Sequence, residues 1–110
     1  MSIASYASLG IGRIIYQLPR ELCNTFLYEI FGEAKKGGLS VEEENIINDF
    51  LKNSLSIADT SRSMNTPRSS LVYKLDRIQK KTGLDIRCFE DAMTLKIALM
   101  VNKYMEHMNR

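Results

Sequence analysis

The sequence predicts an all-α fold, with a helix-turn-helix core of three to four helices preceded by two N-terminal helices. Two observations lead to this prediction. Apolar residues recur at helical spacing along much of the chain, and residues that favour helix starts and ends separate the apolar stretches. The chain has 110 residues, of which 45% are hydrophobic and 25% charged, which is ordinary for one globular domain with a single core.

Residues 1–32 are predicted to form a helical N-terminal segment. The stretch 3–18 is compatible with a helix that buries one side, although its glycines weaken its start. A second helix is predicted over 19–31, because proline favours a first helical position and Gly32 can end the helix. The first helix carries the apolar residues Tyr6, Leu9, Ile14, Ile15 and Leu18. The apolar stripe predicted to face the core from the second helix is Leu22, Phe26, Leu27 and Ile30.

Residues 33–39 are the predicted linker and residues 40–108 the predicted helix-turn-helix domain. The linker contains Lys35–Gly38, a stretch of flexible and solvated positions. Ser40 is followed three residues later by Glu43, which is the spacing of a capping box at the start of a helix. The predicted core face of this helix is Ile46, Ile47, Phe50 and Leu51.

The stretch 56–83 predicts two helices joined by a tight turn. Ser56 is suited to cap the first helix, which is expected to end near Met64. Asn65 tolerates the left-handed backbone that such a turn needs, and Thr66 is predicted to cap the second helix.

The second helix of the pair, predicted over 67–82, has two different sides. Pro67 is expected at its first position, and Gly83 ends it. The predicted buried stripe is Leu71, Leu75 and Ile78. The other side offers hydroxyls and cations, namely Ser69, Tyr73, Arg77 and Lys80, with Arg68 and Ser70 in the first turn. The pattern alone fits a DNA recognition helix and an amphipathic helix with a solvated basic face equally well.

Basic residues are concentrated in this region, although the net charge of the chain is only +2. Between residues 62 and 81 Asp76 is the single acidic residue, and the basic residues are Arg62, Arg68, Lys74, Arg77, Lys80 and Lys81. A local basic patch in a near-neutral chain is expected of a modest DNA-binding module, and a solvated face is the alternative. Arg62 is expected to have a structural role, paired with Asp59 or Asp76.

Leu84 and Ile86 are predicted to lie under the core, while Asp85 and Arg87 face out. A last long helix then ends near Met108. Its middle, residues 92–101, is apolar nearly all round, so we expect burial on more than one side. Two explanations remain open, a helix sandwiched within one chain and a dimer seam.

The run from Thr60 to Arg87 resembles the C-terminal helix-turn-helix of the PucR family, bacterial regulators named for purine catabolism and sugar-diacid use. The similarity extends over about 41–104. The family pattern is T-A-R-x-L-F-I-H-R-N-T-L-x-Y-R-L-x-R-I, followed by T-G-L-D-L-R and an acidic-Asp-Ala helix. The residues that fit are Thr60, Arg62, Arg68, Leu71, Tyr73, Leu75, Arg77, Ile78, Thr82, Gly83, Leu84, Asp85, Arg87, Glu90, Asp91, Ala92 and Leu95. The family's usual Ala, His, Asn and Thr are replaced by Ser61, Pro67, Ser69 and Ser70, changes that bear on the operator sequence.

The resemblance implies a cytoplasmic transcription regulator of a catabolic operon that binds double-stranded DNA, as a homodimer, with the second helix of the pair in the major groove. The helix pair also resembles that of Fis-type DNA-bending proteins, which implies a base contact by Arg68 and phosphate contacts near Ser70 and Tyr73. Ser69 is a candidate for a base or phosphate contact, and Arg77 and Lys80 would supply charge. Ser56, at the start of a helix, is a further candidate for a phosphate. For Tyr73, packing against a neighbouring helix is the alternative.

The first helix resembles the end of the central domain that precedes the DNA-binding domain in the family. The residues that carry this similarity are Tyr6, Leu9, Gly10, Arg13, Ile14 and Ile15. We therefore expect the effector-sensing region to lie outside this chain. The chain would be either the output part of a longer regulator or a naturally short one.

The sequence does not favour an enzyme, a cofactor or a metal site. His107, the single histidine, stands three residues from the end of the sequence, and it has no metal-ligand spacing with Cys23 or Cys88. Glu42–Glu44 cannot converge on one ion, because successive helical residues point about 100° apart. The two cysteines are expected to be buried or half-buried thiols of a reducing cytoplasm. No apolar run reaches the length of a membrane span.

A second function remains open beside DNA binding. The apolar last helix would also suit a helical protein-interaction or oligomerisation module with no DNA-binding role. Such a module predicts a protein partner and no salt-sensitive affinity for duplex DNA.

Overall fold

Helices account for the regular secondary structure of the computed structural model over the residues that it describes, 10–32 and 39–108. Within these ranges the helices are α1 (Ile11–Ile15), α2 (Arg20–Phe31), α3 (Val41–Lys52), α4 (Ile57–Ser63), α5 (Arg68–Thr82) and α6 (Phe89–Met108). The predicted all-α, helix-turn-helix fold is confirmed.

Helix α6 is the central helix, and it packs on α1, α2 and α3. Leu95 and Ala98 have no exposed surface and Val101 is 1% exposed, because neighbouring helices cover α6 on more than one side. Tyr104 packs against Tyr16 at the end of α1, with the ring centroids 5.2 Å apart. Of the two explanations for the apolar last helix, the structure supports a helix sandwiched within one chain.

Helix α2 buries a face next to the predicted one, and the two overlap at Leu27. Cys23, Leu27 and Phe31 are buried at four-residue spacing, whereas Leu22 is 52% exposed and was wrongly predicted to be in the core. The apolar pattern of this helix allows two neighbouring faces, and counting the cysteine as apolar selects the buried one. Burial raises the pKa of the Cys23 thiol above its usual value, so this cysteine behaves as a small core residue.

The helix predicted over 3–18 is observed only as α1, and its remaining positions up to residue 9, which include Tyr6 and Leu9, lie outside the described residues. Ile15 is buried, but Ile14 is 66% exposed. Of the predicted linker, residues 33–38 also lie outside the described part of the chain.

One hydrophobic core extends from Ile15 near the start of the described chain to Met105 near its end. Leu39, the last residue of the predicted linker, is 7% exposed and belongs to this core. Helices α1 and α2 thus share their core with the helix-turn-helix, while the division of the chain into domains remains a prediction.

Helix α3 begins with the predicted capping box. The Ser40 hydroxyl accepts a hydrogen bond from the Glu43 N–H at 3.1 Å, and the Glu43 carboxylate accepts one from the Ser40 N–H at 2.9 Å. Ile46, Ile47 and Phe50 then form its buried face, as predicted.

Helix α3 ends in a left-handed turn that contains no glycine. Ser54 and Leu55 have positive φ angles of 55° and 64°. The Leu55 N–H donates to the Phe50 carbonyl at 2.8 Å and the Ser54 N–H donates to the Leu51 carbonyl at 3.1 Å, which is the hydrogen-bond pattern of a Schellman motif. This turn redirects the chain into α4.

Candidate nucleic-acid interface

The turn between α4 and α5, residues 64–67, is held by hydrogen bonds across its base. The Thr66 N–H donates to the Ser61 carbonyl at 3.0 Å, and the Ser61 hydroxyl donates to the Thr66 carbonyl. Asn65 adopts a φ of 52°, the left-handed conformation predicted for it. These contacts fix α5 relative to α4.

Helix α5 begins one residue later than predicted. Pro67 occupies the N-cap position with φ −57° and ψ 145°, and Arg68 is the first helical residue. Thr66 was predicted as the cap, and that prediction is wrong, because its hydroxyl donates back to the Met64 carbonyl at 3.2 Å. A proline cap offers no side-chain acceptor, so the N–H groups of the first turn have no side-chain cap.

The buried and exposed sides of α5 are those predicted. Leu71, Leu75 and Ile78 have no exposed surface, and Gly83 ends the helix with a left-handed φ of 76°. Tyr73 is 61% exposed, so it does not pack against a neighbouring helix, which was the alternative for this residue.

The predicted contact residues of α5 form one exposed strip with a half-buried edge. Arg68, Ser69, Arg77 and Lys80 are exposed and Ser70 is half-buried. At 1.5 Å per residue, the strip from Ser69 to Lys80 is about 16 Å long, so it can follow a DNA groove for several base pairs. Ser56 lies apart from this strip at the start of α4, where its hydroxyl accepts from the Asp59 N–H at 3.0 Å, as predicted for the cap.

Ion pairs divide the six basic residues of the patch into two groups. Arg62 pairs with Asp59, Lys74 with Glu42 at 3.1 Å and Lys81 with Glu43 at 2.8 Å. Within the described ranges, the other three basic residues have no acidic partner: Arg68, Arg77 and Lys80. The unpaired cations are those that the sequence assigned to DNA. Of the paired ones, Lys74 and Lys81 join α5 to α3, and Arg62 pairs within α4.

The three adjacent glutamates of α3 have three different environments. Glu42 and Glu43 pair with two lysines of α5, and Glu44 lies beside Lys103 and Glu106 of α6. Burial, together with the charge of Glu106, raises the pKa of Glu44 despite the opposing charge of Lys103. Among the residues that the structure describes, no three His, Cys, Asp or Glu side chains are placed to hold a metal ion.

The segment after α5 forms hydrogen bonds to one side of this helix. Arg87 was predicted to face out, but its guanidinium donates to Asp85 at 2.7 Å, to Asp76 at 2.8 Å and to Gln79 at 3.1 Å. Asp85 is in turn held by its own N–H, which donates to Asp91 at 2.9 Å. The prediction for Asp85 and Arg87 is therefore wrong, because the side chains turn back toward α5.

The Asp85–Arg87 pair also shifts the titration of both groups. The hydrogen bond from Arg87 is the largest cause that lowers the pKa of Asp85, and burial opposes it only in part. Hydrogen bonds to Asp85 and then to Asp76 raise the pKa of Arg87. Both shifts favour the charged forms of Asp85 and Arg87, so the contact between them is charge-assisted.

A second contact that the sequence did not predict joins α3 to α4. The Asn53 side-chain amide donates to the Thr60 hydroxyl at 3.3 Å and to the Ser63 hydroxyl at 3.1 Å. Thr60 has no exposed surface, and this bond satisfies its hydroxyl inside the core. The only sequence signal for Thr60 was its place in the family pattern, and no pattern pointed to Asn53.

Cys88 was predicted to be buried or half-buried, and this prediction is wrong. Cys88 is exposed between the Asp85–Arg87 pair and the first turn of α6, beside Phe89, which is 67% exposed. Cys23 and Cys88 are both free cysteines.

The paired helices α4 and α5, with α4 packed on α3 and α5 in contact with α2, define a helix-turn-helix domain. A comparison with known protein families matches the PucR C-terminal helix-turn-helix domain over residues 46–101. This match spans just over half of the 110 residues, and the chain belongs to that family. Searches of curated proteins and of solved structures found no match. No helix in the described part of the chain has the length and apolar character needed to cross a membrane.

Proposed function

We propose that this chain is the sequence-specific DNA-binding output domain of a bacterial transcription regulator. Helix α5 would enter the major groove and α4 would cross the DNA backbone, as in other helix-turn-helix proteins. The chain's place in the PucR family supports this proposal, and the family resemblance favours a regulator of purine or sugar-diacid catabolism in the cytoplasm.

The observation that carries the proposal is the division of charge on α5. Arg68, Arg77 and Lys80 are exposed and have no acidic partner among the described residues, while every other basic residue of the patch is ion-paired. If the basic side of α5 were only a solvated surface, nothing would require its cations to be the unpaired ones. Cations left unpaired on one exposed strip are what phosphate binding needs.

Each residue of the strip has a proposed contact. Arg68, in the first turn of α5, would read a base edge, most favourably guanine, which accepts a bidentate arginine. Ser69 would donate to a base or a phosphate, and Ser70 and Tyr73 to phosphates. Arg77 and Lys80 would neutralise phosphates further along the groove.

Ser56 is a weaker candidate for a phosphate contact. Its oxygen already accepts the capping hydrogen bond from the Asp59 N–H, so only its hydroxyl hydrogen is available for a phosphate oxygen. Ser56 would then contact the backbone from the start of α4.

We also propose that two copies bind two half-sites. Helix-turn-helix dimers bind half-sites about one helical turn apart, roughly 34 Å, so the selected DNA should be a two-fold symmetric sequence. We assign no catalytic group and no cofactor to this function.

The test is selection from a randomised duplex DNA pool, followed by titration of the selected duplex at about 50 and about 200 mM NaCl. A two-fold symmetric site with steeply salt-dependent affinity is the expected result. The double variant Arg77→Ala/Lys80→Ala should reduce the slope of log K against log salt by about 1.8, or about 0.9 for each lost phosphate contact. The matched control is Lys96→Ala/Lys103→Ala, which removes the same charge from α6 and should leave the slope nearly unchanged.

One observation favours the alternative, a protein-interaction or oligomerisation module. A surface groove of about 190 Å³ lies between α2 and α6. Its lining is apolar throughout: Leu18, Leu22, Cys23, Phe26, Ile97 and Val101. If the chain binds no duplex DNA at low salt, the DNA proposal is wrong and this groove becomes the surface to test with Leu22→Asp.

A further inference from the structure

An acidic residue lies within the basic strip of α5. Asp76 stands seven residues after Ser69 and four before Lys80, so all three lie on nearly the same side of the helix. The Asp76 side chain is 58% exposed. A free carboxylate at this position would repel the phosphates that the neighbouring cations attract.

Asp76 also has a possible partner on its own helix. An aspartate and a lysine four residues apart commonly form an ion pair on a helix surface, so Lys80 is the natural partner of Asp76. No such pair forms within 4.0 Å in the described structure, and Lys80 has no acidic partner there. The Asp76 carboxylate is instead bound by Arg87 at 2.8 Å.

Several hydrogen bonds fix the guanidinium of Arg87 beside Asp76. Its Nε donates to the Asp85 carboxylate at 2.7 Å, and its Nη2 donates to both Asp76 at 2.8 Å and Gln79 at 3.1 Å. The backbone of Arg87 also donates to the Asp85 carboxylate at 3.0 Å. The Arg87 side chain is 28% exposed, so its contacts are better shielded from solvent than an ordinary surface ion pair.

We propose that Arg87 is a positioning residue for DNA binding, which holds the carboxylate of Asp76 and thereby keeps Lys80 available for a phosphate. The inference rests on the proposed function, because it concerns the same DNA-binding strip. Arg87 itself contacts no DNA in this proposal and acts through Asp76.

The experiment compares three variants of the chain on the selected duplex, each titrated across a range of NaCl concentrations. Arg87→Met keeps the apolar stem of the side chain and removes the guanidinium. Asp76→Asn removes the carboxylate charge, and the third variant combines the two changes. Lys103→Met is the control, because it removes one exposed cation from α6, away from both helices of the pair.

The expected result is a loss of about tenfold in affinity for Arg87→Met and a decrease of about 0.9 in its salt slope, as Lys80 pairs with the freed Asp76. Adding Asp76→Asn should restore most of the affinity and the slope. Asp76→Asn alone should bind at least as tightly as the wild type, and Lys103→Met should change affinity by less than about twofold. Thermal melting of each variant shows that binding is measured on folded protein.

Several results would overturn the inference while leaving the proposed function intact. These are unchanged binding by Arg87→Met, weaker binding by Asp76→Asn alone, and a double variant that stays as weak as Arg87→Met. The last result would mean that Arg87 touches DNA itself or acts only through the fold. If Arg87→Met does not fold, the DNA affinity of Asp76→Asn alone tests the inference. Weaker binding by Asp76→Asn than by the wild type would contradict it. A wild-type chain that binds no DNA with salt-dependent affinity would overturn both proposals.

Discussion

Lys81 in the last turn of α5 donates a hydrogen bond of 2.8 Å to the buried carboxylate of Glu43 in the first turn of α3. The same carboxylate accepts the capping hydrogen bond from the Ser40 N–H. The Glu43 side chain thus caps α3 and fixes the end of α5. Burial opposes ionisation of Glu43, but the hydrogen bonds and the charge of Lys81 outweigh it, so its pKa is below the usual value.

Glu43→Gln should therefore destabilise the fold by about 2 kcal/mol at pH 7. Glutamine can still complete the capping box, so the change removes the charge contact with Lys81 and little else. Urea unfolding at pH 7 measures the loss. Glu42→Gln is the control, because the Glu42 side chain is 65% exposed and its pair with Lys74 should contribute less than about 1 kcal/mol.

The same contact predicts how stability depends on pH. Because the folded pKa of Glu43 is lowered, its contribution is complete above the unfolded pKa, about 4.3, and is lost as the pH falls through the folded value. The wild type should lose stability below about pH 4.3 more steeply than Glu43→Gln does. Parallel pH profiles of the two proteins would contradict this role for Glu43.

Leu75→Ala should reduce the free energy of unfolding by about 2–5 kcal/mol, because Leu75 has no exposed surface and the truncation leaves a cavity in the core. Chemical denaturation provides the measurement. Tyr73→Ala, two residues earlier and 61% exposed, should leave stability within about 0.5 kcal/mol of the wild type. If the two variants exchanged their effects, the sides of α5 would be reversed.

Ser54→Gly should raise the stability of the fold by about 1 kcal/mol. Ser54 has a φ of 55°, where a side chain is disfavoured and glycine is not. The expected increase in melting temperature is roughly 4–8 °C. Ser54→Ala keeps the strained Cβ and should show no such gain, so a rise in both variants would exclude backbone strain as the cause.

Much of the helical fold was predictable because its signals are local. The capping box at Ser40, the left-handed Asn65 and the buried stripe of α5 each depend on residues within one or two turns. The errors have two sources. Leu22 was misassigned because the apolar pattern of α2 allows two neighbouring faces. Thr66 was wrongly predicted as a cap because its hydroxyl donates to the Met64 carbonyl within the turn.

The residues of the candidate site were predictable from local sequence, but their ion-pair partners were not. Sequence identified the hydroxyls and cations of α5, but it could not tell which cations would be free. That outcome depends on partners distant along the chain, such as Glu42 for Lys74 and Arg87 for Asp76. Only the folded structure brings such pairs together, so the separation of paired from unpaired cations is a structural result.

Arg68→Ala should lose about 1–3 kcal/mol of affinity for the selected site and discriminate less at one base position. Arg68 is exposed in the first turn of α5 and has no acidic partner within the described ranges, so truncation should leave the fold unchanged. Competition titrations against duplexes with single base changes measure both effects, and a thermal melt checks the fold.

Arg77→Ala is the informative comparison, because it removes the same charge from the same helix at a position assigned to a phosphate. It should weaken binding to all duplexes about equally and lower the salt slope by about 0.9. Arg68→Ala should instead lose more affinity for the selected site than for altered ones. Equal losses across all duplexes for both variants would show that Arg68 contacts only the backbone, and would move base reading to Ser69 or to another residue of the strip.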